Sequence, residues 1–407
     1  MNKSGFELWP FFAEDEKEAV RRVLDSGKVN YWTGEECLLF EKEFASYVGR
    51  KRAISVFNGT VALELALYAY DIGAGDEVIL TSRTFIASAS CAVMRGAVPV
   101  CVDVDSESQN LTAESIEPYI TERTRAIICV HLAGWPCDMD PIMELAAKHD
   151  LIVVEDCAQA HGARYKGRPV GSIGHVAAFS FCQDKIMTTG GEGGLMLTDD
   201  EEIYKKCWAF KDHGKGYDAY FKSAQETGFR WLRETFGTNW RMTEMQAAIG
   251  RCQLQKLEEW VCARRRNAEA LNCALADVPG LRLTFPGPEF YHSYYKYYLF
   301  LKPEMLKEGY DKERIIEEIN AAGVPCFSGS CSEIYLEEAF RKLDAYCLGN
   351  RMKLPGPQRR HPVAQKLGET GLMFMVHPTM TEADITATIS AIKTVISRAL
   401  ISTRPLA

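Results

Sequence analysis

The stretch Leu151-Ile152-Val153-Val154-Glu155-Asp156-Cys157-Ala158-Gln159-Ala160-His161-Gly162 decides the fold. Its apolar, β-branched start is too short for a helix and reads as a strand covered on both faces, as in a parallel sheet. The strand ends in two consecutive carboxylates. Successive strand side chains point to opposite faces, so one of the two acids can face inward at the carboxyl end. Open α/β sheets bind their ligands at that end. A buried carboxylate needs a partner. A protonated heteroaromatic nitrogen would serve, and so would an arginine or a following helix start.

Outward from this strand the same alternation recurs. Strands are expected at Ala53–Phe57, Glu77–Leu80, Val98–Val102, Ala126–Val130, Val176–Phe181 and Leu195–Thr198. Helical patterns fall between them at Val61–Tyr70, Ala87–Arg95, Asp140–His149 and Glu201–Phe210. This is an α/β layer pattern with a mostly parallel sheet. After about Gly237 the pattern changes. Thr243 and Gln246 have capping-box spacing, and Ala247, Gly250, Leu254, Leu257 and Val261 continue as one helical stripe. A Tyr-rich strand (His292–Leu301), a charged helix (Lys312–Ala322), a strand near Leu372–Val376 and a closing helix (Glu382–Arg398) follow. The expected division is a large α/β domain over 1–250, with an N-terminal arm over about 1–25, and a smaller α+β domain over 251–407. Loops are expected at Ser223–Arg233 and Leu354–His361.

Composition narrows the function. Of 407 residues, 47% are hydrophobic and 25% charged, which is an ordinary globular mixture rather than a disordered one. The formal charge of -8, with no Lys/Arg block, argues against a dedicated nucleic-acid or membrane-surface binder. The 14 cysteines are scattered singly with no CxxC pair, so they read as reduced thiols and not as a disulfide framework or zinc site. The start, MNKSGFELWPFF, lacks a signal peptide's apolar core, and no stretch approaches the roughly 18 apolar residues that span a bilayer. A cytoplasmic enzyme is the expectation.

Three further segments carry chemistry. Phe57-Asn58-Gly59-Thr60 ends a strand and opens a helix, where exposed amides and a hydroxyl suit an anion, although a plain βα turn has the same sequence. Ala178–Gly194 delivers Ser180 from a strand, then Lys185, then a Gly-rich turn around Glu192. A lysine between an apolar strand and such a turn is unusually placed for a solvated charge. A catalytic lysine must be desolvated or held as a Schiff base. Asn239-Trp240-Arg241 precedes the capped helix and reads equally as capping and surface residues.

Taken in order, Gly59-Thr60, Ser82-Arg83-Thr84-Phe85, Glu155-Asp156-x-x-Gln159, Ser180-Phe181-x-x-x-Lys185, Gly191-Glu192-Gly193-Gly194 and Asn239-x-Arg241-Met242 resemble the DegT/DnrJ/StrS family of sugar aminotransferases. The resemblance runs from about Leu24 to Asp384. It implies the PLP-dependent transferase fold of the aspartate-aminotransferase type (fold type I), pyridoxal 5′-phosphate (PLP) as cofactor and pyridoxamine 5′-phosphate as its intermediate form. By position it makes Lys185 the lysine of the internal aldimine and proton shuttle. Asp156 becomes the partner of the pyridinium nitrogen, Phe85 the aromatic stacked on the ring, and Gln159 the residue on the opposite face. Gly59, Thr60 and Ser180 become the phosphate cup. Asn239 becomes a phosphate contact given by the neighbouring subunit, which implies a homodimer with shared sites. Asn58 and Cys182-Gln183 depart from the commoner Ser and His-Pro of the family.

The resemblance implies ping-pong transfer of an amino group from glutamate to a keto sugar, carried on a nucleotide, through the Lys185 internal aldimine. Related sugar dehydratases carry His at the lysine position, so Lys185 argues against that alternative. A non-catalytic PLP-binding regulator is disfavoured by the intact Lys185 and Asp156. The eight histidines show no paired metal-ligand spacing. The segment His213–Phe236 falls where the family places a substrate-side loop, and Tyr31, Trp32, His131 and Arg241 are the candidate substrate contacts. His131, His161 and His377 are candidates to line the cleft or to be core residues.

Overall fold

The structure, a computed structural model, describes residues 5–221, 231–342 and 360–401. Residues 222–230, within the expected substrate-side loop, and 354–359, within the loop expected at Leu354–His361, lie outside the described residues. The main sheet is built from β1 (Arg52–Val56), β2 (Glu77–Thr81), β3 (Val98–Val102), β4 (Thr124–Val130), β5 (Ile152–Asp156), β6 (Val176–Ser180) and β7 (Gly194–Thr198). Their order across the sheet is β1-β7-β6-β5-β4-β2-β3. Every pairing is parallel except those of β7, which runs antiparallel to β1 and β6. The carboxyl ends of β1, β2, β5 and β6 therefore share one end of the sheet.

Helices cover both faces. They are α1 (Glu14–Ser26), α2 (Glu36–Val48), α3 (Gly59–Ala69), α4 (Ala87–Met94), α5 (Met139–Lys148), α6 (Glu201–Phe210), α7 (Glu244–Leu254) and α8 (Leu257–Leu275). The nearly all-apolar α3 buries Ala62, Leu63, Leu65, Ala66, Leu67 and Ala69 beneath the sheet, which is why its sequence lacks a polar face. Much of the expected arm over 1–25 is the helix α1, packed on α7. The stripe through Leu254 and Val261 is divided between α7 and α8 at Gln255–Lys256, with the capping box at Thr243 and Gln246 as expected.

A second, antiparallel sheet has the order β8-β9-β11-β10, from β8 (Leu281–Arg282), β9 (Tyr297–Leu301), β10 (Cys326–Phe327) and β11 (Gly371–Phe374). The helices α9 (Lys312–Ala321) and α10 (Glu382–Ala399) pack with it. The Tyr-rich strand is shorter than its composition suggests. Phe290–Tyr291 pairs with Arg164–Tyr165 instead, and the left-handed backbone at Tyr294 (φ 48°) turns the chain before β9 begins. Among the described residues no helix is long and apolar enough to cross a membrane, and every described cysteine is free.

Candidate active site

A cavity of about 780 Å³ opens at the carboxyl end of the main sheet, against the second sheet. It gathers Gly59, Thr60, Phe85, Asp156, Gln159, Ser180 and Lys185 from separate segments. β1 ends at Val56 and hands over to α3, which Asn58 caps by accepting the Val61 N–H at 3.0 Å. A Cβ on Gly59 would overlap the Ser180 side chain, so only glycine lets these two chain segments meet. Thr60 and Ser180 thus flank a helix start, where backbone donors and the helix dipole favour an anion.

The two acids of β5 divide as strand alternation requires. Glu155 turns away from the cavity. It accepts N–H groups from Gly171 (2.7 Å), Ile173 (2.7 Å) and Gly174 (2.6 Å), and it contacts His131 Nε2 at 3.1 Å. Burial pushes its carboxyl up, but His131 and these amides outweigh burial and hold it below the usual range. Asp156 lines the cavity. It accepts the Ser88 hydroxyl at 2.9 Å and the Ala158 N–H at 3.1 Å, with no ion pair among the described residues. Burial raises its pKa, against the Ser88 and Ala158 hydrogen bonds and the Lys185 charge. Such a carboxylate favours a cationic partner in the cavity.

Phe85 is a large apolar side chain left 66% exposed on the cavity wall. Gln159 anchors its carbonyl oxygen on the Ala133 N–H at 2.9 Å, leaving its amide free to donate. Lys185 is half-buried, its Nζ lies 4.8 Å from the Tyr295 ring centroid, and its carbonyl accepts the Trp9 indole N–H at 2.8 Å. An anion cup, an exposed aromatic face, a buried carboxylate and a lysine around one cavity fit a phosphorylated, cationic, flat ring.

Other expected contacts lie elsewhere in the chain. Tyr31 is buried, with its hydroxyl 3.4 Å from Glu41 and 3.3 Å from the Trp208 indole nitrogen. His131 is buried outside the cavity. Its Nδ1 accepts the Cys137 N–H at 2.9 Å, so its proton sits on Nε2 toward Glu155. His161 is buried between Phe179 and Phe181, and burial pushes it down to about 3, while His377 stacks on Trp9. Trp32 packs under the Lys215 ammonium at 3.3 Å. Arg241 pairs with Asp212, whose backbone bridges Asn239. Trp32, Asn239 and Arg241 do not line this chain's own cavity.

Sequence reasoning missed Ser88, Asp184, Tyr295 and Lys296. Ser88 reaches Asp156 from α4, and the Thr84 hydroxyl lies 3.1 Å behind it. Asp184 accepts the Tyr295 hydroxyl beside Lys185. The signals were a charged residue directly preceding Lys185, and a lysine set within an aromatic strand.

This constellation at the carboxyl end of a mostly parallel sheet fits a PLP-dependent enzyme of the α/β transferase class. The chain belongs to the DegT/DnrJ/EryC1/StrS aminotransferase family, whose model matches residues 10–393. It is similar to an aminotransferase of Psychrobacter cryohalolentis, with 53% identity, a TM-score of 0.92 and coverage of 97% of this chain and 99% of that one. The DesV enzyme of S. venezuelae is 33% identical, with a TM-score of 0.82 and coverage of 95% of both chains. The GDP-perosamine synthase of Caulobacter vibrioides is 37% identical over 386 residues, 94% of this chain and 95% of the other. The family's enzymes are PLP-dependent aminotransferases, and this chain is one of them.

Proposed function

We propose that this enzyme transfers an amino group from glutamate to a nucleotide-linked keto sugar in the cytoplasm, working as a homodimer with shared sites. The observation that carries the reading is the convergence of Lys185, Asp156, Phe85, Gln159 and the Gly59/Thr60/Ser180 cup on one cavity. The names of relatives support the sugar acceptor, among them GDP-perosamine synthase. Lys185, rather than histidine, favours transamination over dehydration.

The cofactor, when bound, supplies an electron sink for the carbon that loses or gains the amine. Gly59, Thr60 and Ser180 would hold its phosphate, and Phe85 and Gln159 would fix its ring between them. Asp156 would keep the ring nitrogen protonated, because an opposite charge at close range favours the charged form. Lys185 would anchor the cofactor and then move protons as a general base at its Nζ. Asn239 is assigned to the partner's cavity. It lies outside its own, on a segment where Trp231 is 89% exposed and Phe236 100% exposed. Apolar surface of this kind suits a subunit interface. Trp32 and Arg241 are assigned to substrate on that same side, whereas Tyr31 and His131 are committed to internal contacts.

Lys185→Ala is expected to abolish both half-reactions. Borohydride treatment of the PLP-loaded protein should add the cofactor's mass at residue 185. A wild-type protein that gains no such mass, or a variant with wild-type rates, contradicts the reading.

A further inference from the structure

A second lysine enters the same cavity. Lys296 immediately precedes β9 and is 9% exposed, and its side chain lines the wall shared with Lys185 and Met375. Its ammonium is poorly served. The Met375 sulfur lies at 3.4 Å and the Asp184 carboxylate at 3.7 Å, and the Asp184 oxygen concerned already accepts the Tyr295 hydroxyl. Arg264, fully buried beneath with Nε and Nη2 unpartnered among the described residues, adds positive charge. Burial pushes Lys296 down to about 8, with Arg264 and Lys185 acting in the same direction against Asp184. An ammonium held this way gains a full partner when an anionic oxygen enters.

Position selects the kind of anion. The Nζ atoms of Lys296 and Lys185 approach the same Tyr295 ring, at 4.6 and 4.8 Å from its centroid. Lys296 therefore lines the same Tyr295 side of the cavity as the lysine that handles the amine. The anion cup at Gly59, Thr60 and Ser180 is built on the main sheet and not on the strand carrying Lys296. An amino acid carries a carboxylate within a few bonds of its reacting nitrogen, while the diphosphate of a nucleotide sugar lies farther from the reacting carbon.

We propose that Lys296 binds the carboxylate of the amino donor and so sets the enzyme's preference for an amino acid in the first half-reaction. The assignment rests on the transaminase reading above. In the full-length, PLP-loaded enzyme, single-turnover absorbance changes at increasing glutamate give a half-saturating concentration and a limiting rate. Lys296→Met is expected to raise the former roughly ten-fold or more and leave the latter within about three-fold. Lys296→Arg is expected to recover most of the loss. Calorimetry with glutarate, which has the carboxylates but no amine, should show binding to wild type that Lys296→Met loses. An unchanged glutamate dependence in Lys296→Met overturns the assignment, and so does a fall confined to the limiting rate. A wild-type enzyme that takes no amine from glutamate overturns the choice of glutamate as donor in the proposed function, which separates the two failures.

Discussion

Asp156 carries opposite demands in the free and loaded protein. Without a cation beside it, its burial is a cost, and burial is the largest cause of its raised pKa. A raised carboxyl contributes stability that is present in acid and lost as pH rises through its folded-state pKa. Asp156→Asn should therefore melt about 1 to 2 °C above wild type in the cofactor-free state at neutral pH, and the gap should close as pH falls. In the loaded enzyme the same substitution should slow turnover by about a hundred-fold or more, because charge stabilisation at the ring nitrogen is lost. Thermal melts across pH and steady-state rates read the two effects separately. Equal melting at every pH would mean that the buried charge is compensated elsewhere. Ser88→Ala removes the hydroxyl donated to Asp156 and should raise that carboxyl further, shifting the acid limb of the rate profile upward in pH.

The site depends on how strand ends meet, and here the helix α3 is the sensitive element. Because the first residue of α3 has no room for a side chain against Ser180, Gly59→Ala must push the helix start away from β6. The overpacking cost is about 1–3 kcal/mol, and it falls on the proposed phosphate cup. Cofactor titration by fluorescence should show affinity weakened about ten-fold or more with α/β secondary structure intact; unchanged affinity would place the phosphate elsewhere. The strands were legible because both faces of the sheet are covered, which writes each strand as an apolar run bounded by polar residues. Asp156 and Lys185 were legible because a charge following such a run is conspicuous. Ser88, Tyr295 and Lys296 were not, because each reaches the cavity from an element distant in sequence, and one sequence carries no record of that approach. The α7–α8 break was also hidden, since neither glycine nor proline marks Gln255–Lys256.

At the scale of the whole molecule, the decisive question is whether one chain completes a site. Lys185 lines this chain's cavity, while Asn239 lies outside it, next to exposed apolar side chains. If two chains exchange Asn239, two damaged subunits can restore one another. Lys185→Ala has an intact Asn239 to give, and Asn239→Asp, which places a negative charge against the cofactor phosphate, has an intact Lys185. After unfolding and refolding of an equal mixture, half the dimers are mixed, and each holds one intact site and one doubly damaged site. About a quarter of wild-type activity is then expected, from parents that are each nearly inactive. Sites complete within one chain would leave the mixture at the average of its parents. Recovered activity plotted against mixing fraction should peak at equal proportions, which distinguishes exchange from simple stabilisation of either variant by its neighbour.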